Sequence, residues 1–145
     1  MDSILSELGN ILLTVVYLGI VFGKIDNKKG KLEDILFNFE GKNKITYKAI
    51  TYYEVIDSND RYSFLKLIPY TGRKHQLRKQ LSKRGHPIIG DNKYRISENY
   101  ANKNNKLMLH AYKISFLINS IKYDFVAKIP KDFEKTLTKK YLKNF

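Results

Sequence analysis

A regular alternation of side chains after Lys44 is the feature of this sequence that most narrows its possible folds. In an extended strand, every second side chain lies on the same face. One such face carries Ile45, Tyr47, Ala49, Thr51, Tyr53 and Val55. The run DSND at 57–60 is typical of a turn, and an extended pattern resumes over 61–69. The sequence therefore predicts an antiparallel hairpin.

A second hairpin is predicted near the C-terminus. Residues 106–116 alternate again, the pair Asn119-Ser120 suits a tight turn, and 123–129 is predicted to be a further strand. The tail from Pro130 is predicted to form a short basic helix. Together these elements predict the α+β class, with a mainly antiparallel mixed sheet flanked by helices.

The stretch 11–22 contains no charged residue and is the segment most easily mistaken for a membrane span. It is much shorter than the roughly 20 apolar residues that a spanning helix needs. Its Val and Ile content favours a buried strand around Val15–Phe22 that ends at Gly23. Residues 1–10 carry no basic region of the kind that begins a signal peptide, and they predict a short helix or a frayed end. We therefore expect no membrane association and a cytoplasmic location.

The chain is strongly basic, with 27 Lys and Arg residues against 14 Asp and Glu and a formal net charge of +13. Such a chain attracts polyanions, of which nucleic acids are the usual example. The alternative is a solvated basic surface that serves only solubility. The absence of cysteine excludes disulfides and a thiol nucleophile, and three histidines alone do not favour a structural zinc site.

The densest group of basic side chains follows Thr71, which is predicted to cap the N-terminus of a helix. Free backbone N–H groups there, beside Arg73, Lys74 and His75, would form an anion site suited to phosphate. On such a helix, Lys74 and His75 share a face with Arg78. The alternative interpretation is a solvated basic helix beside a turn.

Ordered segments of the chain resemble the ribosomal large subunit pseudouridine synthases. The two most specific segments are TGRKHQLR at 71–78 and GHPIIGD at 85–91. Further segments match in the right order, namely YLGIVFG at 17–23, KAITYY at 48–53 and LMLHAYKISF at 107–116. The resemblance covers residues 16–135, which leaves a divergent N-terminal segment at 1–15 and a basic tail at 136–145.

This resemblance implies an RNA pseudouridine synthase, an isomerase that detaches uracil from its ribose, rotates it and rejoins it through carbon. Such enzymes use no cofactor and no metal. The resemblance implies that Tyr17 stacks on the target base and is placed for proton transfer, and that Arg78 pairs with a catalytic aspartate and orients it. It also places four basic residues near RNA phosphate: Arg73, Lys74, His75 and Lys79. The expected partner is RNA, specifically 23S-type ribosomal RNA.

The sequence departs from the family at the catalytic aspartate, which lies in a His-Arg-Leu-Asp segment some tens of residues before the tyrosine. This chain contains no Arg-Leu-Asp, and Asp2 is the sole aspartate before Tyr17. We therefore expect that Arg78 lacks its carboxylate partner and that the chain alone is a truncated, inactive form. A second chain supplying the aspartate half would complete the enzyme. The alternatives are a non-catalytic basic RNA-binding remnant, and a small basic protein whose apolar N-terminus packs on a membrane or a partner.

Other residues within the resembling segments are interpreted as structural. His86 and Asp91 are predicted to shape the turn that follows the helix. His110, which alternates with apolar residues, is predicted to be half-buried with its hydrogen bonds satisfied. Three tyrosines are predicted to pack within the sheet in preference to stacking on bases: Tyr47, Tyr52 and Tyr53.

Overall fold

The computed structural model describes residues 12–100 and 106–145. Its main elements are β1 (Leu12–Phe22), β2 (Lys29–Glu40), β3 (Asn43–Ser58), β4 (Tyr62–Pro69), α1 (Gln76–Lys83), β5 (Leu109–Ile118), β6 (Ile121–Val126) and α2 (Lys131–Lys139). The strands form one sheet in the spatial order β2-β3-β4-β1-β5-β6. Each neighbouring pair is antiparallel, so the predicted fold class is confirmed.

Strand β1 lies in the interior of the sheet, paired with β4 on one side and β5 on the other. Leu18, Ile20 and Val21 are fully buried, and this burial on both faces explains the uncharged stretch in the sequence. The predicted strand is confirmed, and it begins earlier than expected, at Leu12. Among the described residues, no helix is long and apolar enough to cross a membrane. The helix predicted for residues 1–10 falls outside the described part of the chain.

Strand β2 is an edge strand that the sequence did not reveal. It pairs along its length with β3 through a turn at Gly41 (φ 64°). Leu32 and Leu36 face the core and are buried, whereas Phe37 and Phe39 are exposed apolar residues on the same strand. Because apolar side chains occupy both faces, the segment has no period-two pattern.

The two helices pack on opposite faces of the sheet. Helix α1 covers the face that carries Thr51, whose hydroxyl hydrogen-bonds to the helix at 2.6 Å. Helix α2 covers the other face, where the ring of the fully buried Phe64 lies 5.8 Å from that of Phe133. Leu137 is buried in the same cluster, so residues 136–145 include part of the core in addition to basic side chains.

The β5–β6 hairpin has the turn that the sequence predicts. Asn119 and Ser120 have φ values of 50° and 69°, and positive φ at both central residues is what a two-residue hairpin turn requires. The strand after this turn is shorter than expected and ends at Val126.

Helix α1 begins later than predicted. Gln76 is its first residue, and the preceding His75 adopts a left-handed conformation (φ 52°) without a side-chain capping bond. Thr71 is therefore not the N-cap. Its hydroxyl oxygen instead accepts a hydrogen bond from the backbone N–H of Ile50 (3.0 Å) and donates to the Gln76 side chain (2.6 Å). The threonine ties the segment before the helix to strand β3.

Candidate active site

One cavity of about 340 Å³ gathers most of the residues that the sequence singled out. It lies beside helix α1, between the start of the helix and strands β1 and β5. Four predicted site residues line it: Tyr17, Arg73, His75 and Arg78. Leu77, Leu107 and Leu109 supply apolar walls. The cavity therefore combines an aromatic ring, cationic side chains and apolar surface, which is the composition expected of a site for a planar polar ligand.

Tyr17 lies in the regular strand β1, opposite a bulge in β5. It pairs with Leu67 of β4 and Ala111 of β5, and the β1–β5 register steps from Val16–Lys113 to Tyr17–Ala111, so that Tyr112 is the extra residue of β5. Such a bulge disrupts the ladder locally and bends the strand that carries it, here β5 beside Tyr17. The tyrosine is half-buried at the cavity wall, so one part of its ring packs on the sheet while the rest faces the cavity.

Arg78 is held by Asp91, a carboxylate that the sequence interpretation gives only a structural role in the turn. Its Nε and Nη2 donate to the two carboxylate oxygens at 2.9 and 2.8 Å. The Asp91 side chain is only 1% exposed. It also accepts hydrogen bonds from the backbone N–H groups of Lys93 and Tyr94. The prediction that Asp91 shapes the turn after the helix is confirmed, and its pairing with Arg78 is additional.

The electrostatics of this pair favour both charged forms. Burial by itself would raise the pKa of the Asp91 carboxyl, but the hydrogen bonds from Arg78 and the backbone of Tyr94 outweigh burial and hold that pKa below its usual value. The hydrogen bond with Asp91 in turn raises the pKa of Arg78. Arg78 therefore presents a fixed, permanently charged guanidinium to the cavity. Its Nη1 atom takes no part in the bidentate pair.

Tyr94 connects His75 to Arg78, and no pattern in the sequence pointed to it. Its hydroxyl lies 2.7 Å from His75 Nδ1, and the Arg78 guanidinium lies 4.9 Å from the centre of its ring. Burial, followed by the positive charges of Arg78 and Lys93, lowers the pKa of His75. This shift favours the neutral imidazole, which can form a hydrogen bond with a ligand without adding a charge.

The remaining two predicted RNA-binding residues lie elsewhere. Lys79 Nζ donates to Asn38 Oδ1 (2.6 Å) and to the Tyr47 hydroxyl (3.1 Å), which turns it toward strands β2 and β3. Lys74 is exposed and is not a lining residue of the cavity. Arg73 is exposed at the cavity rim, with its guanidinium 5.4 Å from the centre of the Tyr47 ring.

Two buried glutamines fix helix α1 on the sheet. Gln76 Nε2 donates to the Ile50 carbonyl (3.0 Å) and to the Thr51 hydroxyl (2.8 Å). The Thr51 hydroxyl donates to Gln80 Oε1, and Gln80 Nε2 donates to the carbonyl of Ala49 (3.1 Å). Because buried polar groups cost stability unless they are paired, this network defines one position for the helix and thus for Arg78. Glutamines one turn apart, each beside a core leucine, are the sequence pattern that could have indicated it.

The histidines outside the cavity have different surroundings. His86 Nδ1 lies 2.9 Å from the Phe22 carbonyl oxygen, which confirms its structural interpretation. His110 Nε2 is buried with no hydrogen-bond partner among the described residues, so the prediction of a satisfied histidine is wrong. The imidazole instead faces apolar rings, with its centre 6.5 Å from that of Phe133.

The described residues that line the cavity include no aspartate or glutamate. Asp91 is committed to Arg78 and two backbone amides. A carboxylate acting on a ligand in this cavity would therefore come from outside this set of residues. The cavity as described can stack on a planar ring, bind an anion and donate hydrogen bonds.

Comparison with known proteins agrees with the resemblance in the sequence. The family model described as RNA pseudouridylate synthase matches residues 4–83, and so begins ahead of residue 16. The ribosomal large subunit pseudouridine synthase D of Borreliella burgdorferi is 34% identical over 128 residues, covering 81% of this chain and 38% of the relative. The tRNA pseudouridine synthase C of Haemophilus influenzae is 34% identical over 124 residues, covering 70% of this chain and 52% of the relative. The chain thus spans about half, or less, of the length of these curated relatives.

A solved structure shares the fold. The human RNA pseudouridylate synthase domain containing 4 superimposes with a TM-score of 0.76 at 21% identity, covering 99% of this chain and 67% of that chain. At this level of identity the likeness concerns the fold alone.

Proposed function

The chain belongs to the RNA pseudouridylate synthase family, and we propose that it forms part of the catalytic site of an enzyme that isomerises uridine to pseudouridine in RNA. The observation that carries this proposal is the single cavity that brings Tyr17 and Arg78 together beside helix α1. Residues far apart in sequence converge there, and the family resemblance gives both of them roles in the reaction.

In this proposal Tyr17 stacks on the target uracil and Arg78 orients the catalytic carboxylate. The half-buried ring of Tyr17 at the cavity wall supports the first role. The second role is compatible with the Asp91 pair, because that pair uses only Nε and Nη2 of the guanidinium. Nη1 is then the donor that an incoming carboxylate would meet. Asp91 acts as a positioning residue that holds the guanidinium still.

We propose that the catalytic aspartate is supplied by polypeptide outside the described residues, for instance by a second chain. The absence of a carboxylate among the described lining residues of the cavity supports this. Residues 16–135 would then be a partial catalytic domain. The alternative function is a non-catalytic, basic RNA-binding remnant, which the net charge of +13 favours equally.

The substrate is proposed to be 23S-type ribosomal RNA, modified in the cytoplasm. One relative is named for the large ribosomal subunit and another for tRNA. Their names therefore agree that the substrate is RNA but not on which RNA it is. The positive charge and the cationic rim of the cavity at Arg73 suit either molecule.

The decisive experiment is pseudouridine mapping after incubation with unmodified ribosomal RNA. We expect no product from this chain alone, and product when a polypeptide carrying the His-Arg-Leu-Asp segment is added. Arg78→Ala should abolish that product while leaving RNA affinity largely intact, because the guanidinium serves the carboxylate. Robust product from the chain alone would overturn the role given to the second polypeptide. No product with any added polypeptide would favour the RNA-binding remnant.

RNA binding should weaken steeply with salt. Each phosphate that a cationic side chain neutralises releases counterions, and for single strands it adds about 0.7 to the steepness of log K plotted against log salt. Arg73→Ala and Lys74→Ala should each make the slope shallower by about that amount, since both side chains are exposed. Fluorescence anisotropy with a labelled RNA at several salt concentrations measures the slope. Lys128→Ala, an exposed lysine away from the cavity lining, is the control. Salt-independent binding would contradict both candidate functions.

A further inference from the structure

One face of strands β1, β5 and β6 carries apolar and aromatic side chains without a charge among them. Residues that pair across an antiparallel ladder lie on the same face of the sheet, so the register places this set on the face that carries Tyr17. The set consists of Leu13 and Val15 of β1, Ile114, Phe116 and Ile118 of β5, and Ile121, Tyr123 and Phe125 of β6. We call it the β5–β6 apolar face.

The other face of the β5–β6 hairpin is polar. The alternate residues of β6 include Lys122 and Asp124, which form an ion pair at 3.7 Å. The Ser115 hydroxyl of β5 donates a hydrogen bond to the same aspartate. A separation of apolar and polar residues onto opposite faces is typical of an antiparallel sheet that has one face buried and the other in water. The pattern of the hairpin therefore suits an apolar face that is covered.

In the described part of the chain the apolar face is open. Ile121 and Phe125 are each 57% exposed, and Tyr123 is 38% exposed. Helix α1 packs over β2 and β4, and α2 packs on the opposite face of the sheet. The Phe116 ring stacks nearly parallel to those of Tyr123 and Phe125, with centres 5.2 and 6.0 Å apart. An exposed apolar patch of this kind indicates an interaction site.

The chemistry of the apolar face suits a polypeptide better than RNA. RNA binding needs cations for the phosphates, and none of the eight residues of this face is charged. The rings that could stack on bases are stacked on one another. Depletion of charge and enrichment in aromatic residues are features of the buried centre of a protein–protein interface.

The apolar face is continuous with the Tyr17 cavity. Val15 and Tyr17 point to the same side of β1, and residues two apart in a strand are separated by roughly 7 Å. Arg78 borders the cavity from helix α1, which packs over β2 and β4. The apolar face extends the other way from β1, over β5 and β6. A polypeptide seated on this face therefore adjoins the cavity on the side away from α1.

We propose that the β5–β6 apolar face is the docking surface for the polypeptide that carries the catalytic aspartate. The apolar contacts hold that polypeptide beside Tyr17, and a loop of it brings its carboxylate to Nη1 of Arg78. This chain covers 38% of the Borreliella burgdorferi relative, so that relative contains enough further polypeptide to cover such a face. The inference rests on the proposed function, because it names the partner of the same site.

Single-site labels test where the contact lies. The chain has no cysteine, so Phe125→Cys and Phe37→Cys each provide one thiol for an environment-sensitive fluorophore. Phe37 is the matched control, because it is 50% exposed on the edge strand β2 and lies on the face opposite α1. The probe is a polypeptide with the His-Arg-Leu-Asp segment, taken from the Borreliella burgdorferi relative outside its match to this chain. Adding this probe should shift the emission of the label at position 125 and leave that at position 37 unchanged.

Paired substitutions test the strength of the contact. Tyr123→Ser/Phe125→Ser should weaken the affinity for the same probe by at least about tenfold, because aromatic residues are among the main contributors to interface affinity. Phe37→Ser/Phe39→Ser removes two exposed rings from the opposite edge of the sheet and should leave the affinity unchanged. All four positions are exposed, so both variants should fold, and both should bind RNA as the unmodified chain does.

Several results would overturn the proposal. Equal responses of the two labels, equal affinities of the two double variants, or no binding of the probe would show that the contact does not use this face. A response of the label at position 125 to single-stranded RNA alone would assign the face to RNA. A dimer of the chain that is lost in Tyr123→Ser/Phe125→Ser would assign it to a second copy. Much slower thiol labelling of Phe125→Cys than of Phe37→Cys in the chain alone would show that the face is already covered.

Failure of the proposed function would look different. A complex that forms through the apolar face but yields no pseudouridine would contradict the function and leave the docking surface in place. Pseudouridine formed equally well by the unmodified chain and by Tyr123→Ser/Phe125→Ser, each with the probe, would remove the docking surface and leave the function standing.

Discussion

Replacing Asp91 with alanine should lower the free energy of unfolding by about 3–5 kcal/mol, the usual loss when one member of a buried ion pair is removed. The carboxylate is 1% exposed and the guanidinium of Arg78 is 18% exposed, so water compensates only part of the loss. Two backbone N–H groups, of Lys93 and Tyr94, also lose their acceptor. Urea-induced unfolding followed by circular dichroism at pH 7 measures the change.

The matched control for this prediction is Glu98→Ala. Glu98 also pairs with an arginine at 2.8 Å, but its side chain is 85% exposed. An exposed pair contributes little because water solvates both charges, so this variant should retain nearly all the stability of the unmodified chain. Equal losses in the two variants would show that burial is not what makes the Arg78–Asp91 pair important.

The contribution of Asp91 should also depend on pH. Its pKa is lower in the folded state than in the unfolded state, where it is about 3.9. The stabilisation is therefore fully present above the unfolded pKa and is lost as the pH falls through the folded pKa. The stability difference between the unmodified chain and Asp91→Ala should shrink below about pH 4. A difference that grows on acidification would contradict the sign of the shift.

The second large effect is expected for Gly90→Ala. Gly90 has φ 86°, and a Cβ at this position would overlap the Lys106 carbonyl and lie 2.9 Å from the Leu107 nitrogen. Both obstacles are backbone atoms, which cannot move aside as a flexible side chain can. Because Asp91 follows directly and Leu107 lines the Tyr17 cavity, the substitution should disturb the Arg78–Asp91 pair and the cavity wall together.

Gly85→Ala separates steric overlap from backbone conformation. Gly85 has φ 82°, nearly the same as Gly90, but a Cβ there meets nothing within 4 Å. It should lose only about 1–2 kcal/mol for the left-handed conformation. Gly90→Ala should lose roughly 1–3 kcal/mol more, the usual effect of overpacking. Thermal unfolding of both variants measures the difference, and equal losses would mean that the backbone around Lys106 relaxes freely.

The regular elements followed from local sequence where the local pattern had one interpretation. The alternation from Ile45 to Val55 predicted β3, and Asn119-Ser120 predicted the turn between β5 and β6. Strand β2 escaped prediction because Phe37 and Phe39 add a second apolar face to a strand that already carries Leu32 and Leu36. A period-two pattern disappears when both faces are apolar, even though the strand itself is regular.

The sequence by itself determined the antiparallel sheet, the family resemblance, and Tyr17 and Arg78 as candidate catalytic residues, because these depend on local periodicity and on motifs that are contiguous in the chain. Only the tertiary structure decided what each polar side chain binds. It paired Arg78 with Asp91, gave Thr71 a contact with β3 in place of a helix cap, and turned Lys79 toward the β2 edge. The physical reason is that the partner of a charged group or hydroxyl can be any group that packing brings near it, including groups far away in sequence. Burial then sets the free-energy cost of leaving that group unpaired.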